Sequence, residues 1–314
     1  MGIPVRLREK GTTLTALTPA GPVSWPEGKR CAVAFTFDVD AESPLLTTDP
    51  AFADRMGAMS HQAYGPLVGV PRLLGILDEF GVRGTFFVPG YTAHRHPEAI
   101  RSIARAGHEI AHHGYLHESL VGVDEDTERA ILDRGLRALE EVAGVRPSGY
   151  RAPMWEMNWH TPKLLAEFGF TYDSTLMDSD HPYELAVPGA GSLVELPVSW
   201  ALDDWQQYCF VPDFSGTGLI ETPAKAVELW RSELDAMREI GGAWILTNHP
   251  FLSGRPGRAA ALREFVADVC GMDDVWVAGM AEIADHVRAQ RLTPRTLTRP
   301  EFDPVTARPT GERR

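Results

Sequence analysis

Cysteine is scarce and odd in number: Cys31, Cys209 and Cys270 are the three in 314 residues, and they lie far apart. They exclude a disulfide framework and a paired-thiolate metal site. Long apolar runs are missing too, since no stretch approaches the ~20 residues needed to span a bilayer. The opening Met-Gly-Ile-Pro-Val-Arg-Leu-Arg-Glu-Lys has no apolar secretory core, and Arg6 breaks the myristoylation pattern. These absences predict a cytoplasmic protein with no membrane partner. Positive charge is in deficit, with 30 Lys and Arg against 43 Asp and Glu and a formal net charge of -13. Phosphate binding needs a concentrated basic face, so nucleic acid is excluded as a partner.

What is present is an ordinary globular composition, 44% hydrophobic and 23% charged, in a chain long enough for one large α/β barrel or two domains. Apolar runs alternate with helical spacings. The fully apolar 32–38 reads as a buried strand, 66–80 as a helix stopped by Gly81, and Phe86-Phe87-Val88 as a second strand. Pro97 opens a helix that Gly107 ends, and 109–111 is a short third strand. Further helices are predicted over 124–143, 161–168, 223–239, 258–270 and 280–289. Strands are predicted near 148–151, 171–176, 193–198, 243–249 and 275–278. This rhythm predicts a parallel sheet and, at this count, a closed or nearly closed (β/α) barrel in a single domain. Residues 1–29 read as a surface arm, 30–290 as the barrel, and 291–314 as a tail, poorly ordered or docked on a partner.

Six residues share one placement. Asp38, Asp40, His113, His117, Arg151 and His249 each fall at or just past the C-terminal end of a predicted strand. In a parallel barrel those ends converge on one mouth, where catalytic groups collect. Two neutral imidazoles and a carboxylate there make an open three-ligand metal site, the kind that activates water, which points to a hydrolase. A helical turn over 113–117 would let both histidines face one ion. His108-Glu109-Ile110-Ala111-His112 also matches H-E-x-x-H. That pattern needs a helix, however, and in a strand its histidines stand about 13 Å apart, too far for one ion.

Five ordered motifs carry a family resemblance: Thr36-Phe-Asp38-Val-Asp40, His113-Gly-Tyr-Leu-His117, Arg151-Ala-Pro153-Met-Trp155, Tyr172-Asp-Ser-Thr-Leu176 and Leu246-Thr-Asn-His249-Pro250. Together they resemble the polysaccharide deacetylase family, with its NodB-homology fold. The resemblance implies a distorted (β/α) barrel that hydrolyses an amide-type C–N bond other than a peptide bond. It implies that Asp40, His113 and His117 hold a divalent metal, most often zinc. By the same resemblance Asp38 is the general base, Arg151 its orienting partner, and His249 the general acid. Trp155, Leu246 and Tyr150 are expected at the pocket wall.

One departure is informative. The commoner family pattern has adjacent aspartates, whereas Val39 separates Asp38 from Asp40; strand residues two apart still face the same side. With Glu42, the stretch from Tyr64 to Arg72, and His249-Pro-Phe-Leu-Ser-Gly-Arg255, this resembles a subgroup of intracellular peptidoglycan-deacetylase-like proteins, cyclic-imide hydrolases and allantoinase-like ureide hydrolases. Glu42 and Tyr64 are therefore also expected at the pocket. The aromatic-rich 200–208 could form a lid over it. The expected substrate is a small amide, imide or ureide, or a small acetylated sugar, and the expected assembly a homotetramer. The alternatives are a metal-independent ureide or imide hydrolase, an N-deacetylase of a peptidoglycan-type polymer, and a silent binding protein.

Overall fold

The computed structural model describes residues 22–216 and 218–303, with 308 and 309. Nine strands form the main sheet: β1 (Cys31–Asp38), β2 (Thr85–Val88), β3 (Glu109–His112), β4 (Gly149–Tyr150), β5 (Tyr172–Asp173), β6 (Tyr183–Val187), β7 (Gly191–Glu195), β8 (Ala243–Asn248) and β9 (Val275–Val277). Their order is β6-β7-β5-β4-β3-β2-β1-β8, and β9 also pairs with the start of β1. All pairings are parallel except β6 with β7. The sheet curls into a half-barrel and stays open, because no ladder joins β8 to β6 among the described residues. This curled sheet is the distorted, nearly closed (β/α) barrel in a single domain that the sequence predicts.

Alternation on β1 explains how the site is loaded. Val33, Phe35, Phe37 and Val39 pack outward into the largest apolar cluster, with Leu73, Ile103 and Phe265 from the surrounding helices. Ala32 and Ala34 face the other way, into a second cluster with Ile245 and Met280. Thr36, Asp38 and Asp40 continue that inner series toward the mouth. On β8, Trp244 and Leu246 pack outward while Ala243 and Ile245 lie inside, which aims His249 at the mouth.

The helices form where caps and spacing direct them. Asp124 accepts from Thr127 N at the start of Glu125–Ala143, and Gly144 ends it at φ +67°. Thr222 and Pro223 open Pro223–Ile240. The predicted helix over 66–80 is instead the end of a longer run. Met56–Tyr64 leads through a π-turn at Gly65–Gly69 into Val70–Glu79. A Cβ on Gly69 would stand 2.1 Å from the carbonyl oxygen of Pro250, so only glycine lets this turn pack against the segment after His249.

Of the expected arm, residues from 22 onward are described. Trp25 donates from Nε1 to the Gly241 carbonyl (2.8 Å) and packs on Trp276 and His286. Past 290, Arg295 exchanges backbone hydrogen bonds with Glu184 and Ala186 on β6. No helix among the described residues is long and apolar enough to cross a membrane.

Candidate active site

Four segments bring six polar side chains to one buried point. Asp40 follows β1 through a tight turn. Its carbonyl accepts from Ser43 Oγ (2.6 Å) and Thr92 Oγ1 (2.7 Å), and Ala41 turns the chain at φ +50°. Asp40 Oδ1 lies 3.5 Å from His113 Nε2, and its Oδ2 lies 3.6 Å from both His117 Nε2 and His249 Nε2. A tetrahedral ion with bonds of about 2.1 Å separates its ligand atoms by about 3.4 Å, so Asp40, His113 and His117 have the spacing of a ligand set.

The chemistry of the donors agrees. His113 donates from Nδ1 to the Arg151 carbonyl (2.7 Å), which leaves Nε2 as a bare lone pair. Burial holds His113 below its ordinary pKa and carries His117 down to about 4, so both are neutral imidazoles. Asp40 Oδ1 is buried with no hydrogen-bond partner. Lone pairs facing one another across this gap form a cradle for a cation, and these three residues can hold a metal ion.

The histidines reach it by a route other than the expected helical turn. Residues 113–117 form an irregular loop with Gly114 at φ +72° and His117 at φ +57°. The two left-handed residues fold the chain back until the rings lie 5.0 Å apart. The H-E-x-x-H pattern lies in β3 as expected. His112 points outward, donating to the Leu132 carbonyl, and His108 accepts from Gly84 N.

Asp38 is gripped by Arg151, whose Nη1 donates to Oδ1 at 2.7 Å. Burial favours the neutral acid, but the Arg151 guanidinium, with His113 and His249, outweighs it and holds Asp38 below the usual carboxylate range. Arg151 is itself fully buried, donating to the Ser174 carbonyl, Ser174 Oγ and Thr36 Oγ1 (each 3.1 Å) and stacking 4.0 Å above the Phe87 ring.

Two acids that the sequence reading left unused complete the site. Asp204 accepts from both the backbone N (3.0 Å) and Nδ1 (2.7 Å) of His249, and from Ser253 Oγ. Burial opposes a charged imidazole. The hydrogen bond to Asp204 and the charges of Asp204, Asp203 and Asp40 overcome it and carry His249 up to about 10. Asp203 lines the pocket beside them, its carboxyl pushed up to about 7 by burial, partly offset by His249. Both acids were visible in Trp200-Ala-Leu-Asp-Asp-Trp205, as an acid pair set among apolar residues.

A cavity of about 470 Å³ opens over these groups. Trp155 lines it as expected and stacks on Trp200 at 4.3 Å, while Trp205 packs edge-on to His249 at 5.0 Å. Asp213 and Phe214 close another side, tied to Arg55 (3.2 Å) and Phe52. Of the six described non-glycine residues with positive φ, five (Ala41, His117, Met154, Trp155 and Asp213) lie at the site.

Four expected pocket residues are elsewhere. Leu246 has the opposite parity to His249 on β8 and packs in the outer core. Tyr150, opposite in parity to Arg151, packs outward on His112 and Phe170. Glu42 is drawn away by His96, 2.8 Å from its Oε2. Tyr64 accepts from Arg72 (2.8 Å) under the Arg255 guanidinium, away from the cavity.

The sequence profile described as polysaccharide deacetylase matches residues 64–172. A solved structure from Mycobacterium smegmatis, assigned as a polysaccharide deacetylase, is 89% identical with a TM-score of 0.89, over 91% of this chain and 99% of that one. The chain belongs to the polysaccharide deacetylase family. It is a hydrolase acting on carbon–nitrogen bonds other than peptide bonds. A peptidoglycan deacetylase of Helicobacter pylori is 28% identical over 82% of this chain and 96% of its own. The solved Puue allantoinase is 26% identical, with a TM-score of 0.74, over 92% of this chain and 98% of that one.

Proposed function

We propose that this family member is a divalent-metal hydrolase of a small amide, imide or ureide, or of a small acetylated sugar. Asp40, His113 and His117 would hold the ion, with zinc suited to two imidazoles and a carboxylate. Bound there, a divalent cation supplies Lewis-acid chemistry, acidifying water and polarising a carbonyl. The observation that carries the reading is the orphaned Asp40 Oδ1 facing the free Nε2 of His113.

The chain's own groups divide the proton work. Asp38, ionised and fixed by Arg151, takes a proton from the attacking water as general base. His249, charged and steadied by Asp204, gives a proton to the leaving nitrogen as general acid. Their opposed pKa shifts suit these opposed roles. The size of the cavity and its tryptophan walls favour a small substrate over a long glycan, and the likeness to an allantoinase over nearly the full chain favours a ureide or imide among the small ones.

The test is a panel of cyclic imides, allantoin, N-acetylglucosamine and a peptidoglycan fragment, run on metal-analysed protein with and without chelator. Turnover of a small member, lost on chelation and lost at least about 10³-fold in Asp38→Asn with metal retained, is expected. Chelator-resistant turnover would select the metal-independent ureide hydrolase instead.

A further inference from the structure

Two acids sit opposite each other in the wall behind Arg151. Asp173 on β5 and Glu195 on β7 are register partners in a parallel ladder, and both are fully buried. One oxygen of each is spoken for. Asp173 Oδ1 accepts from Thr175 Oγ1 (2.7 Å), and Glu195 Oε1 accepts from the backbone N of Thr175 (3.2 Å) and Leu176 (2.9 Å). The other oxygens, Asp173 Oδ2 and Glu195 Oε2, are buried with no hydrogen-bond partner. Two carboxylates this close and this dry cannot both be ionised.

We infer that Asp173 and Glu195 share one proton, and that the pair acts as the positioning anchor for Arg151 and through it for Asp38. The connection is short. Thr175 Oγ1, which donates to Asp173, accepts from Ala152 N at 2.9 Å. Ser174, between the braced residues, accepts from Arg151 at both its carbonyl and its Oγ. The 173–176 turn is therefore pinned by the acids on one side and holds the guanidinium on the other. Tyr150 at the end of β4 and Tyr183 on β6, the register partners of Asp173 and Glu195, share the pair's face of the sheet, while Arg151 and Tyr172 lie on the other face and act on it only through their field. Of these Arg151 alone is charged at neutral pH. Burial pushes Asp173 up to about 6, and burial with the neighbouring Asp173 raises Glu195 well above its ordinary value, in keeping with one proton held by the pair. Asp40, His113 and His117 take no part in this contact.

The inference rests on reading Asp38 as the base, and the experiment separates the two. Glu195→Ala removes the anchor, and Thr175→Val, should the first variant not fold, leaves both acids in place but cuts the hydroxyl bridge from Asp173 to Ala152. Each is compared with the parent on the panel compound that turns over. Asp38 loses part of its cationic partner, so the acid limb of kcat/KM should rise by about one pH unit. The kcat should fall about tenfold, with KM within about twofold. Glu195→Gln keeps both the acceptor and the donor and should return the limb to the parent's position. In the infrared, the parent should show a protonated carboxyl band at pH 8 that Glu195→Gln lacks. Folded Glu195→Ala or Thr175→Val with the parent's acid limb would overturn the anchor while Asp38→Asn stays inactive, leaving the base assignment intact. Full turnover in Asp38→Asn would overturn both. No infrared difference would overturn the shared proton.

Discussion

Asp204 lies beneath His249 with both oxygens committed, one to the ring and both to the turn that carries it. A histidine raised to about 10 keeps its proton until the pH passes that value, so in the proposed role of general acid His249 would be competent below it and fade above. Asp204→Asn removes the charge, and the imidazole falls back toward its ordinary 6.5. The basic limb of kcat/KM should then move to lower pH, and kcat at pH 7.5 should drop about 10–100-fold; a parental basic limb in this variant would remove His249 as the acid. At this scale the sequence was readable where a motif announces itself. Asp38, Asp40, His113, His117, Arg151 and His249 all converge. The partnership of Asp204 with His249 was hidden because 45 residues separate them. Leu246 and Tyr150 were misplaced although their parity relative to His249 and Arg151 was in plain view.

The buried acid pair on β5 and β7 has a consequence for the stability of these elements. In the native state Glu195 holds its proton well above the pH at which an unfolded glutamate loses it. A raised carboxyl pKa gives stability that is complete below the unfolded value and is lost as pH rises toward the folded one. Glu195→Gln is permanently neutral and escapes that loss. Its stability relative to the parent should therefore increase from pH 5 to pH 8, by up to about 1.4 kcal/mol per pH unit, in denaturant melts; a pH-independent difference would deny the shared proton. Strands and helices with strong periodicity, such as β1, β8 and Pro223–Ile240, lie close to where spacing predicts them. Ser43–Thr48, Met56–Tyr64 and β6 were not anticipated. The first is too short to show a period, the second has small and polar residues on most faces, and β6 is set by its antiparallel partner β7.

Closure of the barrel belongs to the whole molecule and could not be read from any segment. Counting strands predicts a closed or nearly closed barrel, and which of the two forms depends on how β6 and β8 meet; among the described residues no ladder joins them. The proposed metal site is likewise a property of the folded state, since residues distant in sequence would supply its ligands. At a hundredfold excess over Kd, an ion that binds only the native form stabilises it by about 2.7 kcal/mol. Chelation should thus lower Tm by roughly 5 °C, and Asp40→Asn should abolish the difference; equal melting with and without metal would argue against the site. The left-handed non-glycine residues at the cavity bear on the molecule's history. Each costs on the order of 1–3 kcal/mol, a debt serviced by the core around it. Lineages pressed toward heat tolerance and lineages pressed toward faster chemistry should pull residues such as Ala41 and Met154 in opposite directions, because glycine there would relax the backbone and let the groups beside it drift.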